Sequence, residues 1–217
     1  MNAPDNLKRL AFVVDDDDAF RGSLVALLES AGWAVTDFGS ADDFLDRTED
    51  LDPGLLLLDL HLDDRSGLDL LESGCIAPAR FGVVMLTGAG DIQTAVRAIK
   101  AGALDFIEKP YKADEVLGRL DRIHLAFEVS AQANARTLEA RRQVETLSNR
   151  ERDVLERMLA GASNKHIARD LGLSPRTVEM HRARMLQKLS VKSTAQALDF
   201  ARLAGLDPVG TGAEPQS

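Results

Sequence analysis

Leu55-Leu56-Leu57-Leu58-Asp59 sets four consecutive leucines directly ahead of a carboxylate. An apolar run this short reads as a strand buried on both faces, as in a parallel sheet covered by helices. The Asp then stands where the strand leaves the sheet. In open α/β sheets ligands bind outside the carboxyl ends of the strands, so Asp59 is placed for chemistry. Taken alone, it could equally be an Asp that opens a polar loop, and the rest of the chain has to decide between the two.

Upstream, Leu10-Ala11-Phe12-Val13-Val14 is a second short apolar run, and it too ends in carboxylates, Asp15 to Asp18. Ala19 to Ser30 has helical spacing with Gly32 at its end. Trp33 to Phe38 reads as a strand, and Ser40 with Asp43 as the opening of a helix running to about Thr48. Downstream, the loop His61 to Gly67 leads to a short helix, Gly82 to Thr87 is a strand ending in a hydroxyl, Asp91 to Ala101 a helix stopped by Gly102, and Asp105 to Glu108 a strand followed by Lys109-Pro110. A further helix begins at Ala113. Strand followed by helix, repeated five times, implies a five-stranded parallel α/β sheet with helices on both faces. Four strand ends then carry Asp15/Asp16, Asp59, Thr87 and Lys109 to one edge.

Three carboxylates at one edge repel one another, and together they offer an oxygen site for a hard divalent cation such as Mg²⁺ or Mn²⁺. A carboxylate can attack phosphorus to give an acyl phosphate. A lysine and a hydroxyl can hold the other phosphoryl oxygens.

Val14-Asp15-Asp16, Leu58-Asp59, Leu86-Thr87-Gly88 and Glu108-Lys109-Pro110, in this order and with Ala101-Gly102-Ala103 between the last two, resemble the receiver domain of bacterial two-component response regulators over about residues 8–125. The resemblance implies a flavodoxin-like, doubly wound sheet of order 2-1-3-4-5. It implies Asp59 as phosphoacceptor, and Asp15, Asp16, Asp59 and the His61 backbone carbonyl as metal contacts. It also implies Thr87 and Lys109 as phosphoryl contacts, Phe106 as a switching aromatic and a Lys109-Pro110 bond that can be cis. Asp17 and Asp18 are expected to favour the start of the first helix rather than to bind metal. The family usually has a proline four residues after the phosphoacceptor. Here that position is Asp63, which adds a carboxylate and flexibility beside the site.

Residues 126–145 favour helix and carry only a partial apolar stripe, so a helical, semi-rigid linker is expected rather than a strong coiled coil. Beyond it the charge changes. Residues 1–124 hold 24 Asp/Glu against 12 Lys/Arg, and residues 125–217 hold 11 against 14. An acidic front and a basic rear suggest two domains with different partners.

In the rear half, Ser148 with Glu151 forms a capping box for a helix to Ala160, followed by Gly161. Ser163 to Leu171 is a helix followed by Gly172, and Ser174-Pro175 opens a third helix to Leu189. Ser193 with Gln196 caps a fourth. The second and third helices fit a helix-turn-helix. Val178, Met185 and Leu189 share one face of the third helix, and a basic, mixed face opposite suits a major groove. Lys and Arg there would mainly meet phosphates; Glu179 could accept from cytosine, and Met180 or Ala183 could touch a thymine methyl.

Leu147-Ser148-Asn149-Arg150-Glu151, Asn164-Lys165-His166-Ile167-Ala168 and Arg176-Thr177-Val178-Glu179-Met180-His181 resemble the LuxR-type DNA-binding domain over about residues 146–206. The order of the two domains resembles the NarL/FixJ group. The expected double-stranded DNA contacts are Lys165, Arg176, Thr177, Glu179, Met180, Arg182, Ala183, Arg184 and Lys188, with His181 packed in the core. The tail from Asp207 to Ser217 is expected to be disordered.

The resemblance thus implies a transcription factor switched by a histidine kinase. It would dimerise on phosphorylation, act with RNA polymerase and turn over no external substrate. The N-terminus lacks the apolar core of a signal peptide, no apolar run reaches the roughly 20 residues of a membrane span, and a single cysteine, Cys75, excludes an internal disulfide. These features point to the cytoplasm and away from membranes. An aspartyl-phosphate phosphatase would want a second Asp two residues after Asp59, where His61 stands. A constitutive DNA-binding protein with an inert front half would have no use for the full Asp/Asp/Asp/Thr/Lys set.

Overall fold

A computed structural model describes residues 9–63, 65–88 and 92–207. The chain divides into two compact units, Met1–Ala131 and Gln132–Ser217.

The first unit runs β1 (Leu10–Val14), α1 (Asp18–Ser30), β2 (Ala34–Phe38), α2 (Ala41–Arg47), β3 (Gly54–Asp59), α3 (Gly67–Glu72), β4 (Phe81–Thr87), α4 (Ile92–Lys100), β5 (Asp105–Glu108) and the first part of α5 (Ala113–Glu145). The strands are all parallel in the order β2-β1-β3-β4-β5, as expected. Every residue of β3 and β4 is buried. The pleat sends alternate leucines to opposite faces. Leu56 and Leu58 join Phe12, Val14, Phe44 and Phe81 on one side. Leu55 and Leu57 join Ala11, Val13, Leu24 and Val84 on the other. Two cores on one sheet explain why this run is uniformly apolar rather than alternating.

Side chains at the helix starts fix where the loops turn. The Asp17 carboxylate accepts from the Ala19 and Phe20 N–H groups and caps α1, so it serves the helix, as expected of it. Ser40 caps α2 and Ser66 caps α3. Gly102, at φ +105°, turns the chain from α4 into β5. Boundaries shift slightly from the sequence reading: β2 begins after Trp33, whose ring is buried against α5, and β3 and β4 each begin one residue earlier. Asp91, expected to start α4, and the tail beyond Asp207 lie outside the described residues.

α5 is one helix of 33 residues, so the expected linker is a continuation of the last helix of the first unit. Val116, Leu120 and Phe127 belong to a core of that unit. Val144 belongs to the core of the second. Between Phe127 and Ala140 no residue is buried.

The second unit contains α6 (Asn149–Leu159), α7 (Asn164–Leu171), α8 (Pro175–Lys188) and α9 (Thr194–Leu203). The capping box is complete: Ser148 accepts from the Glu151 N–H and Glu151 from the Ser148 N–H. Gly172 adopts the left-handed conformation at φ +65° between α7 and α8, the turn that a helix-turn-helix needs. Val178, Met185 and Leu189 are buried with Val154, Leu155, Ile167 and Ala201 in one core.

Candidate functional site

The register sets the ends of β1, β3, β4 and β5 side by side, with Val14 opposite Leu58, Asp59 opposite Leu86 and Thr87 opposite Glu108. Asp15 and Asp16 follow β1, Asp59 and Thr87 end their strands, and Lys109 follows β5. One ligand oxygen each from Asp15, Asp16 and Asp59 lie within 4.8 Å of one another. Asp15 is fully buried and Asp59 is 6% exposed.

Lys109 ties the group together. Its Nζ donates to Asp15 Oδ2 at 2.7 Å and lies 2.8 Å from Asp59 Oδ1. The second contact is an ion pair off the hydrogen-bonding direction, so the buried Oδ1 of Asp59 has a charge partner but no aligned donor. The Lys109-Pro110 bond is cis. The Thr87 side chain is buried, and its carbonyl accepts from the Lys109 N–H at 2.6 Å. Burial pushes the Asp59 carboxyl above the usual range. Lys109 opposes that shift, the charge of Asp15 adds to it, and the His61 N–H opposes it. Three carboxylates face one ammonium here, and one of their oxygens is buried without a donor. This donor set fits a hard divalent cation.

Three residues at this edge escaped the sequence reading. The Arg21 guanidinium donates to the Asp15 carbonyl at 2.7 Å, bonds Asp37 at 3.0 Å and pairs closely with Asp18, fixing the chain just after β1. A cation one turn beyond four consecutive Asp was the available signal. The Phe20 ring centroid lies 3.8 Å from Lys109 Nζ, a cation–π contact that steadies the ammonium. Tyr111 meets Phe20 edge-on at 5.8 Å, and burial, then the charge of Asp15, hold its hydroxyl in the protonated form. No local pattern joins residues 20 and 111. The His61 side chain is exposed and its backbone pairs with Ser66 across the loop. Asp63 is exposed in the same loop. Phe106 is half-buried and borders an open cleft of about 640 Å³ shared with Ile92 and Tyr111.

In the second unit, Arg176, Glu179, Met180, Ala183 and Arg184 are exposed on α8, and Lys165 is exposed on α7. Thr177 is half-buried at the start of α8, its hydroxyl 2.8 Å from that of Ser174. His181 is half-buried with Nδ1 enclosed, as a packed residue should be. Two further expected DNA contacts also have partners within the unit, Arg182, which is half-buried, and Lys188, which stays exposed. Arg182 donates to Asn164 Oδ1 at 2.5 Å and to Thr194 Oγ1 at 2.8 Å. Lys188 Nζ lies 2.7 Å from Glu151 Oε2 and 3.2 Å from the Thr146 carbonyl. Burial alone would raise the Glu151 pKa; Lys188 and the Ser148 cap outweigh it and hold the carboxyl below the usual range.

Residues 11–121 match the response regulator receiver domain family, and residues 145–201 match the bacterial regulatory proteins of the luxR family. The transcriptional regulatory protein FixJ of Azorhizobium caulinodans is 43% identical over 197 residues, covering 90% of this chain and 93% of that protein. The chain belongs to the NarL/FixJ group of response regulators. The response regulator protein TodT of Pseudomonas putida is 37% identical over 183 residues, covering 84% of this chain and 80% of that one. Among solved structures, the response regulator StyR aligns with a TM-score of 0.79 at 35% identity, over 90% of this chain and 98% of its own. Full-length FixJ from B. japonicum aligns with a TM-score of 0.56 at 38% identity, over 91% and 98%. The acidic edge is therefore that of a response regulator receiver, and the helix-turn-helix unit is a luxR-type domain. A chain with these two parts is a DNA-binding transcriptional regulator of a two-component system. No helix among the described residues is long and apolar enough to cross a membrane.

Proposed function

We propose that Asp59 accepts a phosphoryl group from a partner histidine kinase and that its ionised, buried carboxylate is the nucleophile. The observation that carries this is the Lys109 ammonium set between Asp15 and Asp59, at 2.7 and 2.8 Å, beside a buried Asp59 oxygen with no aligned donor. An Asp59 oxygen attacks phosphorus, the bond from phosphorus to the kinase imidazole breaks, and the imidazole leaves. Asp15, Asp16, Asp59 and the His61 carbonyl would hold Mg²⁺ or Mn²⁺, which offsets charge on the transferring group. Lys109 pairs with one phosphoryl oxygen as a point charge, and the Thr87 hydroxyl donates to another. The added charge of roughly −1.5 to −2 draws Thr87 and Lys109 together, and Phe106 follows into the space this leaves. Asp63, in place of the usual proline, brings a carboxylate to the loop beside this pocket. The acyl phosphate hydrolyses slowly on the protein itself, and no external substrate is turned over.

Phosphorylation then shifts an equilibrium that favours a homodimer in the cytoplasm. The dimer sets two copies of α8 in successive major grooves of double-stranded DNA and works with RNA polymerase. Lys165, Arg176, Thr177, Arg184 and the exposed Lys188 meet phosphates, and Glu179, Met180 and Ala183 meet base edges. Gel-shift titration with and without acetyl phosphate, on the wild type and Asp59→Asn, tests this. The wild type is expected to bind tighter once phosphorylated, and the variant to be indifferent. Equal affinity of the wild type in both states across physiological salt would overturn it.

A further inference from the structure

We propose that Arg182 is a positioning residue for DNA reading: its guanidinium, held between Asn164 of α7 and Thr194 of α9, sets the pitch of α8 without meeting DNA. The inference rests on the proposed DNA-reading role of α8.

Residues 178, 182, 185 and 189 recur at the helical three- and four-residue spacing, so Arg182 occupies a position in the stripe formed by Val178, Met185 and Leu189. Those three are buried. A leucine or valine at position 182 would extend the apolar core of the unit. Arginine instead brings a planar fork of donors, half-buried here, that must find acceptors where it is withdrawn from water. Two acceptors are supplied, Asn164 Oδ1 at 2.5 Å and Thr194 Oγ1 at 2.8 Å, and both are neutral. Each belongs to the first residue of its helix. The cation therefore sits at two helix N-termini, the end where the backbone dipoles disfavour positive charge. For stability this is a poor choice. For geometry it is a strong one, because a rigid fork with two fixed partners allows one orientation only. The partners start the helix before the turn and the helix after α8, so the guanidinium fixes α8 against both neighbours at once. A residue that breaks a local rule in this way marks a functional constraint more often than a stabilising one.

The competing use of Arg182 is a direct phosphate contact. An open cleft of about 520 Å³ beside it is also lined by Lys165 and Ser163, and that cleft could admit a DNA phosphate. Salt dependence separates the two. A cation that neutralises a phosphate contributes about one unit to the slope of log K against log salt, and a residue that acts through geometry contributes none.

The test uses the full chain, a duplex selected by the wild type from a random pool, and a scrambled duplex of equal length. Arg182→Met is expected to weaken the selected duplex by about tenfold, to change the scrambled one by less than about twofold, and to leave the salt slope as it is. Asn164→Ala combined with Thr194→Val should give the same loss and add nothing to Arg182→Met, the non-additivity of groups acting as one unit. A slope shallower by about one would overturn the proposal in favour of a phosphate contact. Equal losses on both duplexes would reduce Arg182 to general stability and overturn it too. If Arg182→Met does not fold, Asn164→Ala carries the same comparison with the arginine in place. If the wild type selects no duplex, the DNA-reading role itself fails and the inference falls with it; a wild type that selects while the variants behave identically to it sinks the inference alone.

Discussion

Asp59 Oδ1 is buried 2.8 Å from the Lys109 ammonium and lacks an aligned hydrogen-bond donor. Burial is the largest influence on this carboxyl and raises its pKa in the folded chain. A carboxyl raised on folding costs stability once it ionises, and the cost sets in as pH rises through the carboxylate range. At neutral pH the unliganded site is therefore a source of strain, and removing the charge should relieve it. In chelator, Asp59→Asn is expected to melt above the wild type by about 1 kcal/mol of stability, since Asn keeps the shape and loses only the ionisation cost. Excess Mg²⁺ should reverse the order. A cation that binds only the folded chain adds about 2.7 kcal/mol at a hundredfold excess over its Kd, and the variant lacks one of the ligands. Thermal melting in chelator and in Mg²⁺ reads both effects. A lower melting point for Asp59→Asn in chelator, with an equal Mg²⁺ shift in both proteins, would contradict this account of the site.

The loop from β3 to α3 has a constraint of a different kind. Gly67 opens α3, and a Cβ built on it would lie 2.0 Å from the Asp59 carbonyl oxygen. Its N–H also donates to the Leu60 carbonyl at 2.9 Å, so the helix start is bound to the strand end that presents Asp59. The neighbour is backbone and has nowhere to turn. Gly67→Ala is expected to cost about 3 kcal/mol, at the upper end for overpacking, and to abolish labelling of Asp59 by acetyl phosphate even where the sheet remains folded. Circular dichroism with a phosphorylation assay checks both; an intact, normally labelled variant would refute it. In the sequence Gly67 reads only as loop punctuation, because a need for close backbone approach leaves no local mark. The elements whose signal is local were legible: the buried runs of β3 and β4, the Ser caps of α2, α6 and α8, and the site residues that directly follow strands. Phe20 and Tyr111 were not, since tertiary packing alone brings them to Lys109. Arg182 was read as a surface cation because sequence gives a charge and not its direction. For Arg182 the spacing from Val178 and to Met185 did carry the answer.

At the scale of the whole chain, an acidic unit and a basic one share a single helix, α5. With no buried residue between Phe127 and Ala140, that middle section rests on the helix propensity of its alanines rather than on packing. The anchored part of α5 carries the titration that should shape acid stability. His124 is 8% exposed, its ring meets Trp33 edge-on at 5.1 Å, and its Nδ1 and the Trp33 Nε1 are both buried without a partner. Burial lowers the His124 pKa; Arg9 works in the same direction, and Glu128 and Asp121 oppose it. A base lowered on folding contributes nothing while both states are neutral, above about pH 6.5. As pH falls below that, the unfolded chain binds a proton that the folded chain refuses, and stability is lost until the folded pKa is reached. Asp59, raised on folding, contributes with the opposite sign. His124→Phe keeps the edge-on ring contact and removes the titration. Its urea midpoint is expected to exceed that of the wild type by a constant amount at pH 7 to 8 and by a growing amount as pH drops toward 5. A difference that stays flat across this range would mean that His124 is protonated as readily in the folded chain as in the unfolded one, and that the contact with Trp33 is wet.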